Sequence, residues 1–202
     1  MRRTTALCVL VVVATVACDG SATSLQGDGE RVTETRTVDG FDAVRADNGV
    51  QVFLTTDSGA EGDVQLEVTT DSNLQEFLTT KVSGDRLTVT SDRNGGVSPT
   101  QGFDVSGMVA AVNSASADNG ARIELLGSAD EVTFSARNGA HLDAESFEAG
   151  IVNVDADNGA RMTVCATGDV TGTVRNGAQL TVSCGGSVRV ETSGGGKVSS
   201  AP

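Results

Sequence analysis

The sequence is poor in aromatic side chains, and this limits the kind of hydrophobic core that it can build. Its 202 residues include six Phe and no Trp or Tyr. A thick core of large rings is therefore excluded, and the interior has to be filled by Val, Leu, Ile and Ala. With only 2 Pro, 25 Gly and many Val and Thr in alternation, the composition favours one all-β domain.

Basic and proton-transferring residues are scarce as well. The 14 Lys and Arg are outnumbered by 27 Asp and Glu, which gives a formal net charge of −13 at pH 7. Such a surface repels phosphate backbones, so we predict no nucleic-acid partner. The acidic surface serves solubility or, alternatively, collects divalent cations. One His and no Tyr narrow the choice of a catalytic acid and base, and we predict no enzyme activity, no cofactor and no metal site.

The N-terminus has the pattern of an export signal. Arg2-Arg3 precedes an apolar run, residues 6–17, that is too short to span a bilayer as a mature helix. The run ends in Thr15-Val16-Ala17-Cys18, which is similar to a bacterial lipobox. We predict a signal peptide at 1–17 and lipidation of Cys18, the alternative being an ordinary cleaved signal with an incidental Cys.

The residues after Cys18 predict how the protein is held. Residues 18–30 are small and polar, without apolar periodicity, and this predicts a flexible tether. We therefore predict an exported, lipid-anchored protein of the cell envelope, facing the periplasm or exposed at the cell surface. Its partners would be the membrane, through the lipid, and a glycan or envelope protein; the sequence leaves the oligomeric state open.

One short phrase with Asn-Gly at its centre returns along the second half of the chain. Its central Asn residues lie 18 to 20 positions apart, and such a period indicates stacked repeats. An earlier copy surrounds Asn48, and a degenerate copy surrounds Gly194. The central residues of the regular copies are Asn119, Asn138, Asn158 and Asn176.

Apolar residues alternate strictly on both sides of each Asn, at positions two, four and six after it and four and six before it. This period of two predicts two short strands per repeat, each with one face directed inward. We predict a right-handed parallel β-helix with repeats of about 19 residues. Regular coils would occupy 113–198 and an irregular strand-rich part 55–112, all within one domain at 31–202.

The irregular part predicts a strand, a helical turn and a hairpin. Residues 64–68 alternate, Asp71-Ser72-Asn73 can cap a turn over residues 74–78, and residues 81–89 frame a tight turn. Arg93-Asn94-Gly95-Gly96 is similar to the repeat phrase, but the apolar residues before it have the wrong parity. We predict a loop there that continues through Pro99.

Stacking assigns roles to three sets of side chains. Asn at the corner tolerates positive φ, and Asn119, Asn138, Asn158 and Asn176 could form an amide ladder instead of lining a groove. Cys165 and Cys184 lie one repeat apart in an oxidising compartment, so we predict a disulfide, against a free buried pair.

The third position after Asn holds a basic stripe: Arg122, His141, Arg161, Gln179 and Lys197. It is either a solvated face, with Arg122 paired to acids such as Glu124 and Asp143, or a docking strip for an anionic polymer or acidic partner.

The Asn-Gly-Ala phrases, followed by alternating apolar residues, resemble the Ser-Gly-Ala-Ser repeats of the head GIN domain family, described as putative autotransporter adhesins. The segment from Asn73 to Leu78 before a hairpin also resembles this family, and the likeness extends from Thr33 to Val198. The resemblance implies a β-helical exported protein, often a lipoprotein, without catalytic residues to transfer. We predict a non-enzymatic envelope protein that binds glycan, cell wall or protein. The alternatives are a polysaccharide lyase or hydrolase of the β-helix type and an envelope assembly scaffold.

Overall fold

The computed structural model describes residues 24–92 and 96–201, and the chain is all-β, with 63% strand and 3% helix. The predicted all-β class is confirmed. The predicted signal peptide and the predicted lipidation site at Cys18 lie outside the described residues. No helix in the described ranges is both long enough and apolar enough to cross a bilayer.

Nine strands and one 3-10 helix precede the regular repeats. The 3-10 helix covers Ser72–Phe77. The strands are β1 (Leu25–Gln26), β2 (Arg31–Val38), β3 (Ala43–Asp47), β4 (Gln51–Thr56), β5 (Val64–Asp71), β6 (Leu78–Ser83), β7 (Arg86–Ser91), β8 (Val97–Ser98) and β9 (Asp104–Val109).

Eight further strands contain the repeats and are joined by the Asn-Gly corners. Two of them are long, because the chain stays extended from one Asn-Gly corner to the next. The strands are β10 (Ser114–Ala117), β11 (Arg122–Ala136), β12 (His141–Ala156), β13 (Arg161–Ala166), β14 (Asp169–Val174), β15 (Gln179–Ser183), β16 (Ser187–Thr192) and β17 (Lys197–Ser200).

Strands of successive repeats pair in parallel on each side of the corner. Before the corner the order is β3, β10, the second part of β11, the second part of β12, β14 and β16. After the corner it is β4, the first part of β11, the first part of β12, β13, β15 and β17. The registers place equal positions of the repeats opposite each other, for example Ile123 with Leu142 and Leu142 with Met162.

The inward positions form one continuous core. Ala121, Ile123 and Leu125 are buried, and so are the residues in register with them in the next two repeats. Small and branched side chains fill most of this space, as the lack of large rings predicts. Phe134 and Phe147 are the exception in this region, because both are fully buried and meet edge to face with ring centroids 6.2 Å apart.

Residues 57–112 close one end of the stack. β7 extends the row before the corner beyond β3, and β9 extends the row after it beyond β4, both in parallel. The next neighbours are antiparallel, β6 on β7 and β5 on β9, and β2 follows on β5. β3 and β4 pair directly with β10 and β11 across this insertion. The insertion therefore explains why Asn48 and Asn119 are 71 positions apart although their repeats are neighbours.

Three local predictions in this region differ from the structure. Leu25–Gln26 pair with Val97–Ser98, so the tether predicted for 18–30 is ordered from residue 25, and residues 97–98 form a strand instead of a loop. Residues 93–95 lie outside the described ranges. Asp71 stands at the start of the 3-10 helix but makes no side-chain cap there, because its carboxylate binds the backbone N–H of Gly29 and both donors of Thr100.

Candidate functional site

The Asn-Gly phrase forms the corner between the two strands of a repeat. Asn119 has φ 48° and Gly120 has φ 74°, and the other four Asn-Gly pairs agree with these values within about ten degrees. Two successive residues with positive φ are typical of a type I′ turn, for which Asn-Gly is the preferred sequence. The corner residues are therefore selected by backbone geometry.

The corner amides form a ladder that is interrupted by carboxylates. Asn138 donates from Nδ2 to Oδ1 of Asn119, and Asn158 donates to Oδ1 of Asn138, both at 3.1 Å. At the ends of this row the acceptors change, since Asn119 donates to Asp47 at 2.8 Å and Asn176 donates to Asp157 at 2.7 Å. These side chains satisfy one another along the stack, and this supports a structural role for them.

The outer face before the corner carries a network of ion pairs. Asp155 accepts hydrogen bonds from Arg137 in the preceding repeat and from Arg175 in the following one. Burial raises the pKa of Asp155, but the hydrogen bonds from Arg137 and Thr173 outweigh it and lower that pKa overall. The same contact raises the pKa of Arg137. These charges compensate one another and leave no free cation at this corner.

The predicted basic stripe is a continuous row on the opposite face. Arg122 is in register with His141, His141 with Arg161, Arg161 with Gln179, and Gln179 with Lys197. Neighbouring positions are therefore separated by one strand spacing, about 4.8 Å. Gln51 continues the row before Arg122.

The two halves of this stripe differ in their electrostatics. Arg122 lies 3.7 Å from Glu124 and 3.8 Å from Asp143, so its charge is largely compensated. Within the described residues Arg161 and Lys197 form no ion pair, and both are exposed. Burial, and then the neighbouring charge of Arg122, lower the pKa of His141 below its ordinary value, so the imidazole is neutral at pH 7.

A second outward row lies beside the stripe, two residues further along each strand. It holds Glu124 and Asp143 and then changes to hydroxyl side chains at Thr163, Thr181 and Ser199. The hydroxyls of Thr181 and Ser199 are 3.3 Å apart. Sequence analysis did not single out this row, although the same period-two alternation places it outward. Together, the two rows give the last three repeats a flat surface of cations, an amide and hydroxyls.

The disulfide lies at the end of the strands that carry this surface. Cys165 and Cys184 have an S–S distance of 2.02 Å and a Cα–Cα distance of 5.1 Å. It joins the ends of β13 and β15 and so fixes two of the strands that present the stripe. No group of three or more His, Cys, Asp or Glu suited to a metal ion occurs in the ranges that the structure describes.

Comparison with known families explains the combination of Asn-Gly corners and stacked strands. Residues 97–186 match the model of the family described as "putative auto-transporter adhesin, head GIN domain". This part of the chain is similar to the head GIN domain family. The match covers most of the regular repeats together with β9, so the flat surface of the last three repeats begins inside the matched segment.

Two solved structures are similar to this chain at low sequence identity. A putative adhesin from Bacteroides fragilis is 13% identical, with a TM-score of 0.51 over 88% of this chain and 100% of that one. A putative lipid binding protein from Parabacteroides distasonis is 11% identical, with a TM-score of 0.48 over 89% of this chain and 100% of that one. No curated protein matches the sequence.

Proposed function

We propose that this protein is a member of the head GIN domain family and a non-enzymatic binding protein of the cell envelope, exported and anchored by lipid at Cys18. Its ligand would be an anionic glycan or cell-wall polymer that lies along the basic stripe. The observation that carries the proposal is the uncompensated charge of Arg161 and Lys197 on a flat surface, within a protein whose net charge is −13.

The spacing of the charges supports a polymer as the ligand. With His141 neutral and Gln179 uncharged, the cations stand at every second position of the row, on Arg122, Arg161 and Lys197. Two strand spacings correspond to about 9.6 Å. An extended polysaccharide with one carboxylate in every second sugar presents its charges at a comparable interval. Each Arg can bind such a carboxylate through two parallel hydrogen bonds, and the neighbouring hydroxyls can bind sugar hydroxyls.

The family likeness supports a binding role over a catalytic one. The family is described as putative auto-transporter adhesins, and the Bacteroides fragilis structure is named a putative adhesin. These names concern export and adhesion, and we extend both to this chain as part of the proposal. The polysaccharide lyase or hydrolase remains the alternative that an experiment has to separate from binding.

We propose in addition that the stacked repeats wind as a right-handed parallel β-helix. The parallel registers at intervals of 18 to 20 residues support this, as does the strong preference of parallel crossover connections for the right hand. A crystal structure with left-handed or differently ordered coils would contradict it.

Binding to isolated cell-wall sacculi and to soluble polyuronate tests the proposed function. Arg161→Gln with Lys197→Gln should weaken retention about tenfold, because two charge-assisted contacts are lost. Lys81→Gln with Arg86→Gln is the matched control, since it removes the same charge from exposed positions at the closed end of the stack. Equal losses of retention in both double variants would show that only the net charge matters. This result would overturn the stripe as the binding site. Shortening of the polyuronate, with or without Ca²⁺, would favour the enzyme instead.

A further inference from the structure

The two ends of the stack differ in whether another strand covers their outermost strands. At the end near the N-terminus, β7 and β9 are covered by antiparallel neighbours. At the other end, β16 pairs with β14 and β17 pairs with β15, and neither has a second neighbour among the described residues. The inward column is incomplete at this end, because Val188 and Val198 are half-buried whereas Val170 and Leu180, in register with them in the preceding repeat, are buried.

The free edge of β16 presents a regular set of backbone groups. The N–H groups of Ser187 and Ser193 donate to carbonyl groups of the preceding repeat. Alternate residues of a strand direct their backbone groups to the same side. The N–H and C=O groups of Val188, Val190 and Thr192 therefore face away from β14, where they can bind another strand.

The side chains of β16 favour antiparallel pairing with a second copy of β16 in one particular register. Its outward residues around Val190 are Arg189 and Glu191, one of each sign. If a second copy of β16 pairs antiparallel about a two-fold axis at Val190, Arg189 lies opposite Glu191 of that copy, and this contact occurs twice. A shift of the register by two residues in either direction would place Arg189 against Arg189, or Glu191 against Glu191. Like charges directly opposite each other are unfavourable.

We propose that this end of the protein binds a second copy of the same chain, through antiparallel pairing of β16 with β16 about a two-fold axis at Val190. Val190 and Val198 lie four residues before and four residues after the corner at Gly194, so the same axis reaches β17 at Val198. There Lys197 faces Ser199 of the second copy, without a clash of like charges. The pairing completes the open hydrophobic column, and because it is isologous it closes as a dimer and does not continue as a fibre.

The dimer would join proteins that are anchored on different surfaces. β1 pairs with β8, which follows β7 in the chain, so the N-terminal segment lies at the closed end. Six strand spacings, about 29 Å, separate β7 from β16 along the row. Two copies paired through β16 therefore hold their N-terminal segments at opposite ends of the dimer. With the tether proposed for Cys18, this geometry fits homophilic contact between facing membranes.

Charge reversal tests the pairing by sedimentation of the secreted chain carrying Cys18→Ser, which prevents lipid attachment. The wild-type chain should form a dimer at micromolar concentration that weakens in high salt. R189E and E191R should each raise the dissociation constant about tenfold, because each places like charges opposite each other at two contacts. The double variant R189E/E191R should restore association.

Arg189 also contacts Asp169 at 3.2 Å, so R189E perturbs the monomer as well. D169N serves as the control for this loss and should leave association unchanged. Val190→Pro removes one edge N–H that faces the partner, without removing a hydrogen bond to β14, and should abolish the dimer while thermal melting shows a folded chain. A chain that stays monomeric at every concentration, or a double variant as weak as the single ones, would overturn the proposal.

Vesicles test the facing arrangement independently of polymer binding. The same secreted chain, attached to lipid vesicles through an N-terminal histidine tag, should cluster them, and R189E should not. R161Q should cluster the vesicles like the wild type, since Arg161 lies on β13, two strands away from the paired edge at β17. Dimerisation in solution without clustering would overturn the facing arrangement, whereas loss of polymer binding in R161Q bears only on the proposed function.

Discussion

Asp71 accepts hydrogen bonds from the backbone N–H of Thr100 at 2.8 Å and from its hydroxyl at 2.6 Å, although the two residues are 29 positions apart. A third bond, from the N–H of Gly29 at 2.9 Å, connects the N-terminal segment to the same carboxylate. Asp71 is fully buried and thus holds together three segments at the closed end of the stack. One ionised side chain therefore makes three of the contacts that hold the end nearest to the proposed tether.

Replacement of Asp71 by Asn should destabilise this end of the protein. An amide nitrogen cannot accept the bonds from Thr100, so at least one donor loses its partner, at a cost of about 2 kcal/mol. Urea unfolding measures the change, and hydrogen exchange should localise the loss of protection to β1 and β8. Ser72→Ala is a suitable control, since it removes a neighbouring hydroxyl that binds Asp28 and leaves the contacts of Asp71 in place. A stability loss confined to β16 and β17 would contradict this role of Asp71.

Acid should reveal the same interaction in the unmodified protein. The hydrogen bond from the hydroxyl of Thr100, and then the backbone donors, lower the pKa of Asp71 below its ordinary value of 3.8. Because the folded-state pKa is the lower one, the stabilisation is complete above the unfolded pKa of about 3.9. It is lost as the pH falls through the folded value. The free energy of unfolding, measured by urea titration between pH 7 and pH 3, should fall less steeply in Asp71→Asn than in the wild type, and parallel curves would exclude Asp71 as the group responsible.

The corners and the inward side chains could be predicted from the sequence because each constraint on them is local and recurs. Asn119-Gly120 fixes a turn that needs two positive φ values, and strict alternation around it fixes which side chains enter the core. The prediction for Asp71 was wrong because a residue before a helical turn has the same appearance whether its carboxylate caps that turn or binds a residue 29 positions away. Only the fold brings Thr100 to it.

The arrangement of the closed end could not be predicted from the sequence, for a related reason. In the sequence, Asn94 resembles a corner Asn. In the layer that β7 adds next to β3, however, the residue that corresponds to Asn48 is Ser91, whose hydroxyl donates to the carbonyl of Asn48 at 2.9 Å. At the corner, Arg175 lies 3.8 Å from Asp157 of the preceding repeat, whereas Arg137 binds Asp155 in the adjacent row, because a long side chain reaches sideways as easily as along its own column.

Gly172 occupies a position where a side chain cannot fit. Its φ is +131°, and an added Cβ would lie 1.9 Å from the carbonyl oxygen of Val154 in the neighbouring repeat. Gly172→Ala should therefore lower the free energy of unfolding by about 3 kcal/mol or prevent folding, because strand pairing between β12 and β14 would have to open. Gly185→Ala is the matched control, with positive φ but open space around the added atom, and should cost about 1 kcal/mol. Equal losses in thermal unfolding would show that backbone strain alone is responsible.

Asn158 allows the two roles of the corner amides to be separated. Asn158→Gly keeps the positive φ of 50° accessible but removes the hydrogen bond to Asn138. Asn158→Ala removes the same bond and also strains the backbone. We expect the glycine variant to lose roughly 1 kcal/mol of stability and the alanine variant about 1 to 2 kcal/mol more. Equal losses in both variants would assign the stability to the ladder, and an unchanged glycine variant would assign it to the turn alone.

The disulfide should stabilise the half of the stack that carries Arg161 and Lys197. Cys165 and Cys184 are separated by 19 positions, and a loop of this size contributes about 3 kcal/mol in the chain-entropy model. Reduction should lower the melting temperature, and hydrogen exchange should then rise first in β15, β16 and β17, because β15 ends next to Cys184 and the other two strands follow it. The variant with Ala at both positions should melt like the reduced wild type and should not respond to reductant. If reductant lowered its melting temperature as well, the effect on the wild type could not be assigned to this bond.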